Sequence, residues 1–418
     1  MPNNNENKVL NVPHLRFPEF IGEWKETNLS SYAKKITKKN KGNVISNVLC
    51  NSANLGIIPQ SDYFDRDIAN NENTDTYYVI ENGDFVYNPR KSVTAPYGPV
   101  NMYLGDKTGI ISPLYLCFSV KDICCDFLLH WFKGNAWHRY VYSHGDTGVR
   151  FDRVSIKDDT FLNMPIKVPV FEEQIRISKL LRAIDERIAT QNKIIEDLKK
   201  LKSAIIDKLF CHPNESSPQK RLTSFTEEWH QIHLFDICRR IRTKNSNSQC
   251  ALVLTISAQF GLVSQEDFFN KSVASDNLEG YYLLQKGDFA YNKSYSGDYA
   301  WGTVKRLDIY SKGVLSPLYI CFRPDTTRID SDFLVYYFES KKWYKGIADI
   351  AGEGARNHGL LNLSVNDYFK TVHRIPSLQE QKAIAYVLNK LTSKISIEKK
   401  LYDNLLLQRQ YLLQQMFI

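Results

Sequence analysis

The amino-acid sequence predicts two α/β (α+β) globular domains in tandem, separated and followed by long antiparallel coiled-coil helices, with an internal pseudo-twofold repeat. Three observations carry this. The stretch ISPLYLCF, Ile111 to Phe118, returns as LSPLYICF, Leu315 to Phe322, 204 residues later. Its neighbours return in the same order at nearly the same offset, which one chance match would not do. Each copy then closes on a long run without Gly or Pro whose apolar residues recur in steps of four and three.

The elements follow from the N-terminus. Residues 1–15 form a polar tail, MPNNNENK and its continuation, without the apolar core of a signal peptide. Residues 16–168 form the first globule and residues 211–375 the second. RFPEFIGEW (Arg16 to Trp24) matches RLTSFTEEW (Arg221 to Trp229), NLGIIPQSDYF (Asn54 to Phe64) matches QFGLVSQEDFF (Gln259 to Phe269), and YYVIENGDFVYN (Tyr77 to Asn88) matches YYLLQKGDFAYN (Tyr281 to Asn292). Short β-type runs alternate there with Gly, Asn and Pro turns. One aromatic helix is expected from Asp126 to Trp137, answered by Asp332 to Trp343, and its stripe of Phe127 and Trp131, with Phe333 and Tyr337, reads as core.

Helices occupy residues 169–210 and 376–418, each introduced by a proline and Glu-Gln, in PVFEEQ and PSLQEQ. The first seam runs Ile177, Leu181, Ile184, Ile188, Ile195, Leu198, Ile205, Leu209, and the second Ile384, Leu388, Leu391, Ile395, Tyr402, Leu405, Leu412, Met416. So narrow a stripe suits a coiled coil. Polar residues interrupt both seams at matching places: Gln191 and Lys202, then Glu398 and Arg409. In an antiparallel pair Gln191 and Glu398 would meet near the midpoint and fix register; the alternative is that both graze solvent at a loose seam.

Composition excludes more than it specifies. A chain of 418 residues, 43% hydrophobic and 24% charged, has room for two cores, and no apolar run approaches the ~20 residues of a membrane span. A cytoplasmic protein is expected. The eight cysteines include no CxxC pair and read as small buried hydrophobes. The net charge of +8 leans towards an anionic partner, and placement matters more than size.

Motifs for catalysis are thin: there is no phosphate loop, and GEGARN lacks the third glycine of a dinucleotide loop. YNPRK, Tyr87 to Lys91, lacks the second proline and aromatic ring of an amino-methyltransferase motif. Asp325, Glu339 and Lys341 fit the loose acidic-plus-lysine pattern of metal-dependent nucleases, although the first copy has Lys133 and Asn135 at the latter two places.

Basic residues repeat more clearly. Lys34, Lys35, Lys38, Lys39 and Lys41 lie in KKITKKNK, and Arg239, Arg240, Arg242 and Lys244 in RRIRTK. Clustered cations among Ser, Thr and Asn suit phosphate contact, and equally a solvated charged face. After the GDF turns the copies diverge, NPRKSVTAPYGPV against NKSYSGDYAWGTV, offering Arg90, Lys91, Lys293 and Tyr295 to base edges or phosphates; ordinary loop drift is the alternative. A Gly-rich loop carries Arg150 in the first copy and Arg356 in the second, able to meet phosphate or guanine or to hold the loop to its own domain.

The tandem of globule plus long helix, the opening Phe17, Phe20, Trp24 (Leu222, Phe225, Trp229 in the second copy), the GDF turns at Gly83 and Gly287, and the proline with Glu-Gln before each helix together resemble the specificity subunit of type I restriction-modification systems. The resemblance covers nearly the whole chain, from about Arg16 to Ile418; Leu222 in place of a phenylalanine is the one departure. It implies a protein without chemistry of its own, with two target-recognition domains that each read half of an asymmetric, bipartite double-stranded DNA site and helices that set the gap. It also implies two methyltransferase subunits that use S-adenosylmethionine, restriction subunits driven by ATP with Mg²⁺, no cofactor on this chain and no membrane partner. The rival readings are a standalone nuclease built on Asp325, Glu339 and Lys341, and a nucleic-acid-binding adaptor outside restriction.

Overall fold

The computed structural model describes residues 11–63, 74–145, 152–212, 214–222, 224–270, 277–294, 299–351 and 359–418. The chain divides into two compact units, one made of the described residues up to Asn192 with Lys400–Ile418, the other of Lys193–Lys399. No described helix is long and apolar enough to cross a membrane.

The first unit runs β1 (Lys25–Asn28), β2 (Ala33–Lys35), β3 (Val48–Ser52), β4 (Gly56–Pro59), β5 (Tyr78–Ile80), β6 (Phe85–Tyr87), β7 (Val100–Met102), β8 (Gly109–Ile111), β9 (Leu116–Val120), α1 (Cys125–Lys133), α2 (His138–His144), α3 (Asp158–Leu162) and β10 (Pro165–Val168), and then enters α4 (Phe171–Leu209). Strands pair in the orders β2-β9-β6-β7 and β4-β3-β8-β5, and β1 pairs with β10. The second unit repeats the plan: β11 (His230–His233), α5 (Leu234–Ile237), β12 (Cys238–Arg240), β13 (Leu254–Ser257), β14 (Gly261–Ser264), α6 (Gln265–Phe269), β15 (Tyr282–Gln285), β16 (Phe289–Asn292), β17 (Thr303–Arg306), β18 (Lys312–Leu315), β19 (Ile320–Pro324), α7 (Ser331–Glu339), α8 (Tyr344–Ile350), α9 (Val365–Lys370), β20 (Val372–Ile375) and α10 (Leu378–Gln415). Its main sheet has the order β12-β19-β16-β17.

The first three residues of each copy of the duplicated strand, Leu116 to Phe118 and Ile320 to Phe322, are apolar because both faces are covered there. In β9, Phe118 joins the core under α1 while Cys117 joins a second core with Leu49, Ile80 and Ile111. In β19, Phe322 and Cys321 divide in the same way. Burial pushes both thiols up to about 12, so they stay protonated and act as packing groups.

The GDF turns combine three requirements. Gly83 and Gly287 adopt φ of 90° and 93°, a region that favours glycine. Asp84 and Asp288 accept the backbone N–H three residues upstream, at 2.7 Å from Glu81 and 2.7 Å from Gln285. Phe85 and Phe289 then enter the main cores.

The Glu-Gln pair before each long helix ties the globule to it. Glu173 is fully buried and accepts two hydrogen bonds from Arg16, at 2.8 and 2.7 Å, and one from the Trp24 indole at 3.3 Å. Glu380 holds Arg221 at 2.8 and 2.6 Å and Trp229 at 3.4 Å. These hydrogen bonds raise both guanidinium pKa values. Gln174 donates to the Pro169 carbonyl and accepts from the Cys124 N–H, both at 2.9 Å; Gln381 does the same with Pro376 and Asp330, at 2.9 and 2.8 Å.

Every apolar seam residue named above is buried or half-buried. In the first unit the start of α4 and the end of α10 lie antiparallel: Ile177 and Leu181 share a core with Leu413 and Met416, and Asp185 pairs with Arg409. In the second unit Ile206 and Leu209 share a core with Ile384 and Leu388. The expected helix from Asp126 to Trp137 ends early: α1 stops at Lys133 because Gly134 turns extended (φ −81°, ψ −170°) and returns its N–H to the His130 and Trp131 carbonyls, and α2 starts only at His138, beyond the expected range. The counterpart expected from Asp332 to Trp343 likewise stops at Glu339, with α8 starting at Tyr344. The aromatic stripe is core, with Phe127, Trp131, Phe333 and Tyr337 all buried.

Candidate nucleic-acid interface

The first basic cluster falls on β2 and the second on β12, and each of these is an edge strand of its sheet. Lys34 stands opposite Ser119 and Lys35 opposite Phe118; Arg239 and Arg240 stand opposite Arg323 and Phe322. Alternation along the strand leaves Lys34 and Arg239 exposed and half-buries Lys35 and Arg240. Lys35 is engaged with Asp158 at 2.6 Å, whose hydrogen bond raises the ammonium pKa. Arg240 donates to the Tyr282 hydroxyl at 3.5 Å.

Further along, Lys39 sits 3.5 Å above the Tyr78 ring and Lys244 sits 3.8 Å above Tyr282, in matching bridges to those tyrosines. Lys38 comes within 4.0 Å of Glu81, both well exposed. Lys41 and Arg242 are exposed. Charge on an edge strand also discourages pairing with another sheet.

The divergent loops after β6 and β16 have a fixed base. Gly98 and Gly302 take φ of 85° and 78°, and an added Cβ would come within 2.1 Å of the Asn88 carbonyl oxygen and 2.2 Å of that of Asn292. The backbones close there over a gap that only glycine leaves open. Each loop is also stitched to the far end of its globule. Arg90 bridges Arg153 and Val154 donates to the Pro89 carbonyl at 2.9 Å; Ser294 bridges Leu360 and Leu361 donates to Lys293 at 3.0 Å.

The diverging loop and the segment just beyond the Gly-rich loop therefore lie side by side in both copies, which the sequence did not reveal. Arg90 is exposed, Lys91 and Lys293 half-buried. Arg150, Tyr295 and Arg356 lie outside the described residues. Two arginines escaped the sequence reading. Arg153 straddles Asp152 together with Arg90, at 4.0 and 3.9 Å, and exposed Arg323, on β19 opposite Arg239, is bonded to Asp288 at 2.6 and 2.9 Å. The signal for Arg323 was its place directly after the repeated ICF.

The polar seam residues are enclosed. Gln191, in the first unit, is 6% exposed, and Glu398, in the second, is 9% exposed with Lys394 at 2.5 Å. Lys202 pairs with Glu339 at 2.8 Å and lies 4.9 Å from the Tyr336 ring centre. Arg409 pairs with Asp185, which also faces the His130 ring at 3.3 Å and Lys133 at 3.4 Å. Burial pushes the Asp185 carboxyl up, and the bonds from His130 and Arg409 with the charge of Lys133 more than reverse this, holding it well below the usual carboxylate range.

The nuclease candidates have other engagements. Asp325 caps a turn by accepting the Thr327 hydroxyl and N–H at 2.6 and 3.1 Å, Glu339 is the partner of Lys202, and Lys341 lies 5.2 Å from the Tyr299 ring centre. Among the described residues no three acidic, Cys or His side chains group as a metal site.

Residues 22–200 match the family model described as type I restriction modification DNA specificity domain. The chain is 26% identical over 317 residues to the type I restriction enzyme MjaVIII specificity subunit of Methanocaldococcus jannaschii, covering 71% of this chain and 67% of that protein. It is similar in fold to the type I restriction-modification system S subunit from M. genitalium, with a TM-score of 0.54 and 16% identity over 97% of this chain and 99% of that one. A chain from a solved structure of the assembly and conformational transition of the type I R-M system also scores 0.54, at 15% identity over 97% of this chain and 99% of that one.

Proposed function

We propose that this chain, a member of the type I restriction-modification specificity-subunit family, reads an asymmetric bipartite DNA site with one globule on each half. The observation that carries this is the combination of likeness and difference between the copies. Edge-strand cations recur in the same register, on β2 and β12, whereas the loops after β6 and β16 share a base and differ in sequence. Recurrent cations suit phosphates, which carry no sequence information, and divergent loops suit base edges, which do.

In this reading residues 16–168 and 211–375 are the two target-recognition domains, and α4 and α10 set the distance between half-sites. Lys34, Lys38, Lys39, Arg239, Arg242 and Lys244 face phosphates; Arg90, Lys91 and Lys293 meet base edges or phosphates, and the sequence offers Tyr295, Arg150 and Arg356 for the same use. The chain itself performs no catalysis. Two methyltransferase subunits with S-adenosylmethionine, and restriction subunits with ATP and Mg²⁺, supply it.

The decisive experiment maps methylated adenines in cells with and without this gene. One bipartite motif that disappears with the gene is expected; an unchanged methylome in a strain whose methyltransferase is active overturns the reading. The purified chain with Mg²⁺ should leave plasmid intact, and cleavage abolished by Glu339→Gln would favour the nuclease instead. Changing Arg239, Arg240 and Arg242 together to Ala should flatten the salt dependence of DNA binding by up to ~0.9 per lost phosphate contact. An unchanged slope would assign those cations to edge protection.

A further inference from the structure

Both globules have a basic cleft where the β6–β7 or β16–β17 hairpin meets the following helices, the first lined by Lys133 and Arg409; what differs is the hairpin residue, Asn101 in the first and Lys305 in the second. In the second unit it measures about 350 Å³, within the lower range of ligand sites, and the described residues that line it include Lys199, Lys202, Lys305 and Lys341 together with the carboxylate of Glu339. Glu339 is committed to Lys202, and Lys199 pairs with Glu196 at 2.9 Å.

Lys305, on β17 opposite Ala290, is half-buried and has no hydrogen-bond or ion-pair partner among the described residues. Burial pushes its ammonium below the ordinary lysine value; Glu339 pulls it back in part and Lys202 pushes it down again.

The first unit shows what this position holds when it serves the fold alone. There Asn101 donates to the Asn51 amide oxygen at 2.7 Å and to the Ser52 carbonyl at 3.0 Å. The residues equivalent to Asn51 and Asn101 are Ile256 and Lys305. A self-satisfied amide pair has become an isoleucine and a cation with no acceptor among the described residues, an arrangement that costs stability unless an anion completes it. Tyr299, Trp343 and Tyr344 also line the cleft and offer aromatic surface beside the charge.

We propose that this cleft binds the phosphate and base of a nucleotide, with Lys305 taking the phosphate and the aromatic side chains taking the ring. The nucleotide has two possible sources, a free mononucleotide or one unit of a DNA strand. We assign the site to the second globule, where Lys305 stands in place of Asn101, and it does not depend on how the edge-strand cations are used.

The test is calorimetry on the full chain with AMP, with inorganic phosphate and with duplex DNA, comparing wild type, Lys305→Met and Lys305→Arg. Lys305→Met keeps the stem and removes the charge. It should raise the Tm of the ligand-free protein by about 2–4 °C and weaken AMP binding at least tenfold, whereas Lys305→Arg should retain it. AMP should bind at least tenfold tighter than inorganic phosphate, because a stacked ring adds to the contact. AMP binding undisturbed by DNA identifies a free nucleotide, and AMP displaced by DNA identifies a strand. If AMP does not bind but Lys305→Met lowers the salt slope of DNA binding by ~0.9, the phosphate belongs to DNA. Equal AMP binding by wild type and Lys305→Met, or no AMP binding with unchanged DNA binding, overturns the proposal.

Discussion

Asp185 and Thr392 occupy equivalent turns of the two long helices, yet the charges gathered around them are opposite. In the first unit the acid stands on the long helix, and the bases come to it from α1, through His130 and Lys133, and from α10, through Arg409. In the second unit the acid is Glu339 on α7 and the base is Lys202 on α4, while Thr392 bonds only neutrally, to the Tyr336 hydroxyl at 3.0 Å. Beside it Asn389 accepts from the same hydroxyl at 2.7 Å and donates to Asp332 at 2.7 Å. A duplicated scaffold has thus acquired two different locks: Lys133 in the second place would face Lys202 with no Asp185 to relieve it. A globule copied from the first place to the second should seat properly only with Lys133→Glu added.

The largest expected effect tests what the units share. Glu173→Ala and Glu380→Ala should each destabilise their own unit by about 3–5 kcal/mol, because each leaves a largely enclosed arginine unpaired. Hydrogen exchange resolved by unit checks this; a loss confined to one variant would mean that the two anchors are not equivalent despite their matching distances.

A somewhat smaller effect separates the units by pH. His373 is buried between the Tyr337 and Thr371 hydroxyls, where the first copy has Ile166, and burial lowers its pKa to about 4. Between about 6.5 and 4 the unfolded chain binds the proton and the folded one refuses it, so stability falls as pH drops through that window, by about 3 kcal/mol in all. Exchange in the second unit should accelerate first on acidification. His130 in the first unit is also lowered by burial, but Asp185 opposes the shift. Since the Asp185 pKa is depressed, its own contribution persists above about pH 4 and fades only in stronger acid. If both units loosened together near pH 5, His373 would not be the cause.

Next come the locks themselves. Asp185→Asn should cost about 1.5–3 kcal/mol, the worth of hydrogen bonds to charged groups, and Thr392→Ala about 1 kcal/mol. Denaturant melts of the two variants would merge if the charge difference had no energetic weight. Smallest of all, Glu339→Lys should cost up to about 1 kcal/mol for a partly exposed pair, and Lys202→Glu added to it should restore most of the loss. A double-mutant cycle without coupling would remove the lock from the second unit.

Much of this architecture was legible in the sequence because duplication repeats local patterns that local physics can read. The four-three spacing marks both helices, the GDF turns need a glycine and a carboxylate at fixed positions, and the basic edge strands recur at one offset. The helix break at Gly134 was less legible, since GNAW carries apolar residues that fit a helical stripe. Partners distant in the chain were not legible at all. Nothing local tells that Glu173 will hold Arg16, or that Lys202 will answer Glu339 while its counterpart Arg409 answers Asp185; spacing shows that a side chain faces a core, and only the fold shows whose. The cleft around Lys305 stayed hidden for the same reason, because β17 meets α4 and α7 only in three dimensions.

Leu413, Met416 and Phe417 complete the core of the first unit, with the Phe417 ring 5.3 Å from that of Phe127. A ribosome that has just delivered Leu181 must read more than 200 further codons before Phe417 exists. At about 5–20 residues per second, that is an interval of about 10–50 s. Throughout it the first globule waits with Ile177, Leu181 and Phe127 uncovered, while the second is made and can fold. A frameshift or stop codon ahead of the Leu413 codon would therefore cripple the half of the protein that was translated first, and chaperone dependence during synthesis should centre on the older globule rather than the newer one.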